Sequence, residues 1–223
     1  MDKPAKKEYR QWAGEALGLS PLQVMSAAGF RQRGLTFTRL IGGVKQVVRF
    51  EIVVRPRYAR DSAQLVILVD MSAPSADRIY AESMRGIPDA RVPYFVRQDA
   101  ETLRKPQRDL WLFANQGQAE ALGEPLAEAL AEDVIPYLAC RSSIADFAGQ
   151  CKSETLGSLQ KHGPFATERP AYVASLISAA GSEDGARELL ASAYPAGSRG
   201  RFIYEPVIEF YEHRAQKHGK VTS

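Results

Sequence analysis

Arg39 and Gln46 stand seven residues apart in LTFTRLIGGVKQVVRF, one on each side of a diglycine. A planar guanidinium beside a side-chain amide can hold a carboxylate or phosphate through charge-assisted hydrogen bonds, and Arg49, three residues on, would extend such a ligand-binding site. The plainer alternative puts Arg39 at the tip of a hairpin with its stem laid over apolar surface. Arg31, Arg33, Arg55 and Arg57 form a second pattern, a basic strip that Arg49 and Arg60 continue and that includes Tyr58 as a stacking residue. Single-stranded nucleic acid is bound by that combination. A solvated face matched by Glu51, Asp61 and the acidic second half explains this anionic-partner face more simply, so nucleic acid is not the favoured partner.

Catalysis has thinner support. Asp61, Asp70, Asp77 and Glu82 could assemble into a hydrolytic site, and Asp70 interrupts the end of an apolar strand, although a strand-end Asp that starts a turn is commoner. The GxSxG, Walker and dinucleotide glycine patterns are absent. His213 and His218 are five apart and so off a common helical face, while His162, Cys140 and Cys151 complete no ligand set. No metal and no cofactor are expected. Two cysteines spaced in this way also argue against a disulfide framework and for a reduced, cytoplasmic setting.

The elements that would position these residues begin with the diglycine. Gly42 and Gly43 can both take positive φ, which suits a primed two-residue turn. Ile41 then faces Val44, Arg39 faces Gln46, Phe37 faces Val48 and Leu35 faces Phe50, all on one face. Thr38 with Val47 and Thr36 with Arg49 lie on the other, more polar face. Shifting the register by one residue would expose Phe37, Phe50 and Ile52 and bury Arg49 and Glu51.

Ahead of the hairpin, the pattern predicts a helix over 8–17 with Trp12, Ala16 and Leu19 inward. A second helix starts at Ser20-Pro21 and ends at Gly29, with Phe30 packing back onto it. Beyond Arg55-Pro56-Arg57, the unbroken run Leu65–Val69 predicts a strand covered on both sides. A short helix capped by Ser75 follows, then strands near 93–97 and 109–113. Leu126, Leu130, Val134 and Leu138 recur at helical spacing, with Pro136 as a kink or stop. Ile144 and Phe147 mark another short helix, and 152–170 reads as a surface loop. Residues 171–193 read as an αα-hairpin whose acidic second helix would repel DNA, and a last helix over 205–218 buries Val207, Ile208, Phe210 and Tyr211.

The sum is an α+β fold: an N-terminal helix, an antiparallel sheet of about four to five strands, helices on one face and a helical C-terminal extension. The expected division is a sheet domain over 1–150 and a loop with helical extension over 151–223 on the same core. The net charge of +3 is uneven, with 19 Lys and Arg against 12 Asp and Glu in residues 1–110 and 10 against 14 in residues 111–223. The opening MDKPAKKEYRQW has basic residues with no apolar segment behind them and does not read as a signal peptide, and the longest aliphatic run is far short of a membrane span, so no membrane partner is expected.

The Gly29-Phe30 pair, Gly34, the Thr36-Phe37-x-Arg39 stretch, the helix containing Pro136 and the closing αα-hairpin together resemble a bacterial family known as a domain of unknown function, over roughly residues 22–191. Where that family often has an amide late in the second strand, this chain has Glu51. The resemblance implies the fold and no activity. The residues favour a non-catalytic cytoplasmic binding module for a protein or a small anionic ligand. The alternatives are a hydrolase or nucleic-acid-acting enzyme using Arg39 and carboxylates near Asp70, and an immunity-type or helper partner of another bacterial protein.

Overall fold

Glycines at positive φ punctuate the chain where elements end. Gly29 (φ 81°) follows the second helix, and the Phe30 N–H reaches back to the Met25 carbonyl at 3.0 Å, so Phe30 is buried on that helix as expected. Gly42 (φ 53°) and Gly43 (φ 80°) form the primed turn of the hairpin. The computed structural model describes residues 4–87, 90, 96–99, 103, 111–162 and 168–219, and of residues 99, 158–162 and 217–219 the backbone alone.

Two compact units result, the first made of residues 1–40, 45–71 and 96–139, the second of 41–44, 72–95 and 140–223. This partition is interleaved along the chain.

The first unit opens with α1 (Lys6–Leu17) and α2 (Ser20–Ala27). Glu8 accepts from the Ala5 N–H at 2.7 Å, half of a capping box, since Ala5 has no side-chain acceptor to offer in return. α1 buries Tyr9, Ala13, Ala16 and Leu17, whereas Leu19 is exposed and Trp12 half-buried. Ser20 lies inside α2 and bonds Glu124 instead of capping.

The strands β1 (Arg31–Arg33), β2 (Thr36–Ile41), β3 (Val44–Val54), β4 (Ala63–Ser72), β5 (Val96–Asp99) and β6 (Trp111–Phe113) join in one sheet, ordered β1-β2-β3-β4-β5 with β6 also paired to β4. The Phe50 N–H donates to the Leu35 carbonyl at 2.9 Å, and the Phe37 and Phe50 rings meet edge to face at 5.9 Å, as the diglycine register requires. β4 runs antiparallel to β5, with Asp70 opposite Arg97, and to β6, with Leu65 opposite Trp111. Along β4, Leu65, Ile67, Val69 and Met71 are buried while Val66 and Leu68 are half-buried. The expectation of two covered faces is therefore corrected. β-Branched and aliphatic side chains suit a half-open pleated face as well as a closed one. The starts of the two strands expected near 93 and 109 lie outside the described residues.

α4 (Gln116–Ala121), capped by Asn115, packs on α1, and α5 (Gly123–Ala129) packs on α2. A π-helical turn over Leu130–Val134 joins α5 to α6 (Ile135–Ala139). Pro136 has no N–H for the Glu132 carbonyl, and its ring would crowd that carbonyl in a regular α-turn, which the wider turn relieves. Leu126, Leu130, Val134 and Leu138 are all fully buried.

The second unit is helical. It contains α3 (Pro74–Ser83), α7 (Ile144–His162), α8 (Glu168–Ala179), α9 (Glu183–Ala193) and α10 (Arg199–Gly219). α8 packs against α3, α7 and α9, and α10 against α9 and α3. Three expectations need correction. Ser75 does not cap α3: Ala73 holds the cap position and Pro74 follows it. The supposed surface loop is helical to His162, with Cys151 and Thr155 buried, because its Lys, Ser and Gly residues occupy the other faces of α7; residues 163–167 lie outside the description. In α10, Pro206 bends the chain at Tyr204 (φ −100°, ψ 16°), so Tyr204 joins Val207, Ile208 and Tyr211 in the interior while Phe210 stays half-buried.

Gly42 also makes a close approach within this unit. A Cβ there would stand 2.1 Å from the Ser142 carbonyl oxygen, so both φ and space demand glycine.

Candidate functional site

The sheet and α1 of the first unit enclose an open groove of about 780 Å³. Its helical wall is Lys6, Arg10, Gln11 and Gly14; the spacing of Lys6, Arg10 and Gly14 at i, i+4 and i+8 puts them on one helical face. The opposite wall is the β1–β2 turn, Gln32 to Thr36, where Gly34 takes φ 60° and Gln32 Nε2 donates to the Gly34 carbonyl at 3.0 Å. Residues Arg49 to Ile52 of β3 complete it. From Lys6 to Gly14 the helical wall runs about 12 Å, at ~1.5 Å per residue.

The charge in the groove is lopsided. Lys6, Arg10, Arg33 and Arg49 line it, with Glu51 as the one carboxylate among the described residues. Among the described residues, Lys6, Arg10 and Arg33 are exposed and have no ion-pair partner. Such a concave, one-signed surface concentrates counter-ions and draws anionic solutes. Arg49 is partly engaged: its Nη2 donates to Asp70 Oδ2 at 2.7 Å, and its buried Nε makes no hydrogen bond among the described residues, with Glu51 Oε1 at 3.5 Å.

The apolar part of the lining is Leu35 and Ile52, both half-buried, with Phe50 beneath. Gly14 belongs with them. A glycine inside a helix costs about 0.5–1 kcal/mol relative to alanine. At Gly14 no described residue forbids a side chain, since an added Cβ would meet Leu35 Cδ2 at an ordinary 4.0 Å.

Arg39 and Gln46 are brought together outside this groove. Arg39 Nε donates to Gln46 Oε1 at 2.7 Å, Arg39 Nη1 donates to the Ala28 carbonyl at 2.6 Å, and the guanidinium lies 4.5 Å over the Phe30 ring. Gln46, fully buried, donates in turn to the Leu138 carbonyl at 2.9 Å. The pair thus ties the end of α2 and the end of α6 to the hairpin, satisfying helix-terminal carbonyls that have no partner within their own helices. Partial burial lowers the Arg39 pKa from its usual value.

Asp70 sits between two guanidiniums. Arg97 Nε donates to its Oδ1 at 2.7 Å while Arg49 holds Oδ2, and this bonding raises the Arg97 pKa against a smaller opposing effect of burial. Asp77 belongs to the second unit, where it accepts from the Tyr172 hydroxyl at 2.9 Å; burial, with Asp77 adding to it, pushes the Tyr172 pKa up. Cys151 is buried and its thiol is pushed up to about 12, chiefly by desolvation, so it is held as a thiol at neutral pH. Cys140 is exposed, and both cysteines are free. His213 Nδ1 faces the Glu209 carbonyl at 2.8 Å, and the side chains of His162 and His218 lie outside the description. Among the described residues no group of His, Cys, Asp and Glu is placed to hold a metal ion, and no described helix is long and apolar enough to cross a membrane.

Of the basic residues singled out in the sequence, Arg33 and Arg49 meet in the groove. Arg31 is exposed on β1 but outside the lining, and so are Arg55, Arg57 and Tyr58 in the β3–β4 connection. There Arg55 takes φ 56° with its N–H on the Ser62 carbonyl, and the Tyr58 hydroxyl bonds Gln64. Sequence reasoning missed Lys6, Arg10, Gln11 and Gly14, although the four-residue spacing of three of them was a readable signal. Compared with known proteins, the chain matches no family model, no curated protein and no solved structure.

Proposed function

We propose that this chain is a non-catalytic binding module whose ligand is a small anionic molecule held in the groove between α1 and the β1–β2 turn. The observation that carries the reading is the convergence of Lys6, Arg10 and Arg33, without carboxylate partners among the described residues, on one groove of about 780 Å³. That volume falls within the roughly 300–1,000 Å³ of small-molecule sites. A hydrolytic reading centred on Asp70 and Arg39 has less behind it, since Asp70 accepts from Arg49 and Arg97 and Arg39 donates to Ala28 and Gln46. The two free cysteines support a reducing, cytoplasmic setting.

Calorimetric titration of the full chain with inorganic pyrophosphate at low salt tests this. Binding is expected to weaken by at least about tenfold in the Arg10→Ala, Arg33→Ala double variant, which removes two charge-assisted contacts. It should also weaken as salt is raised, because exposed charges are screened. Equal affinity in the double variant, or no binding by the unmodified chain, would overturn the reading.

A further inference from the structure

The groove is built with more than charge. At its Gly14 end the wall has no side chain, Leu35 and Ile52 leave apolar surface uncovered, and Phe50 lies beneath. At the other end of the helical wall, about 12 Å away, stand Lys6 and, one turn in, Arg10, at ~1.5 Å per residue. A purely inorganic anion would use the cations and leave the rest of the groove wet. Helix-forming tendency disfavours glycine at position 14, and packing does not require it there, because the site for a Cβ is open apart from an ordinary contact with Leu35. A bare backbone facing half-exposed aliphatic side chains makes room for an apolar group that the protein does not itself supply.

We propose that the groove takes an anionic amphiphile, with its phosphate or carboxylate head among Lys6, Arg10 and Arg33 and a short hydrocarbon part lying over Gly14 against Leu35 and Ile52. This rests on the anion-binding reading above and adds the ligand class to it. Gly14 then sets how much hydrocarbon the site accepts. The cations set the charge of the head, and the head is the common feature of alkyl phosphates and fatty carboxylates.

The test compares ethyl phosphate, hexyl phosphate and octanoate, each titrated calorimetrically into the full chain and into Gly14→Leu. Hexyl phosphate should bind about tenfold tighter than ethyl phosphate, the gain expected from partly burying four further methylenes. Gly14→Leu should remove that gain while leaving ethyl phosphate within about twofold of its original affinity, since the cations are untouched. Leu35→Ser, which leaves α1 unaltered, is the second variant and should lose the same gain. Octanoate binding comparable to hexyl phosphate assigns a carboxylate as well as a phosphate head, and a chain-length gain with either head supports the proposal. Ethyl phosphate binding that depends on Arg10 but gains nothing from a longer chain overturns it and leaves the anion site standing. No binding of any of the three removes both.

Discussion

In the second unit Glu154 accepts from Arg141 at 2.5 Å and from Arg169 at 2.6 Å, whereas in the groove of the first unit Lys6, Arg10 and Arg33 line open space with Glu51 as the one carboxylate among the described residues. The side chains are of the same kind and their fates are opposite. Arg141 is 6% exposed, and taking a guanidinium that far out of water is tolerable only beside an anion. The groove cations remain hydrated, so the fold needs no partner for them and leaves them available to a ligand. Arg39 is an intermediate case within the first unit: part-buried, it spends its donors on an amide and a backbone carbonyl. Position in the chain does not separate these arginines. What separates them is whether the protein itself supplies the acceptor.

The sharpest way to break this contrast is alkaline pH. In the second unit Tyr172, Tyr194 and Tyr211 all have pKa values raised by burial. The folded state therefore holds protons that the unfolded chain releases near pH ~10. Their contribution to stability is complete below that value and is lost as pH rises above it, and far-UV circular dichroism from pH ~9 to ~12 should show the helical signal collapsing. Should the signal persist unchanged to pH ~12, these hydroxyls are not held neutral by the fold.

Glu154→Ala should be the most damaging of the single substitutions, costing about 3 kcal/mol in urea unfolding because the buried Arg141 loses the carboxylate it donates to at 2.5 Å. A loss below ~0.5 kcal/mol would place that cluster in the same class as the groove. Arg39→Ala should cost about 2 kcal/mol, since it removes a charged donor from the buried Gln46 oxygen and from the Ala28 carbonyl, and it should leave pyrophosphate affinity unchanged. If affinity falls with it, the clamp and the groove are not separate. Gly14→Ala has the smallest effect and the opposite sign, a gain of about 0.5–1 kcal/mol in the same unfolding experiment. A loss there would mean that packing requires the glycine and that position 14 is not kept bare for a ligand.

Much of the sheet was legible. Gly42-Gly43 dictated a turn, the turn dictated that Arg39 faces Gln46 and Leu35 faces Phe50, and alternation chose the buried face; each step is local and geometric. The leucine ladder on either side of Pro136 was legible for the same reason, although the widened turn that accommodates the proline was not. α7 was misread where Lys152 to Ser158 look like a loop, because composition averages over a helix whose buried stripe, among the described residues, is Phe147, Ala148, Cys151 and Thr155. Of the groove, Arg33 and Arg49 were visible as charges, but nothing local links them to Lys6 and Arg10.

The sequence by itself determined the hairpin, its register and the amphipathic faces, since backbone stereochemistry and hydrophobic periodicity act over a few residues. Tertiary structure alone decided which arginines are consumed. Whether a guanidinium meets Ala28, Asp70, Glu154 or open water depends on chain segments brought close from far along the sequence, and electrostatic energy is governed by that distance and by the water left around the charge.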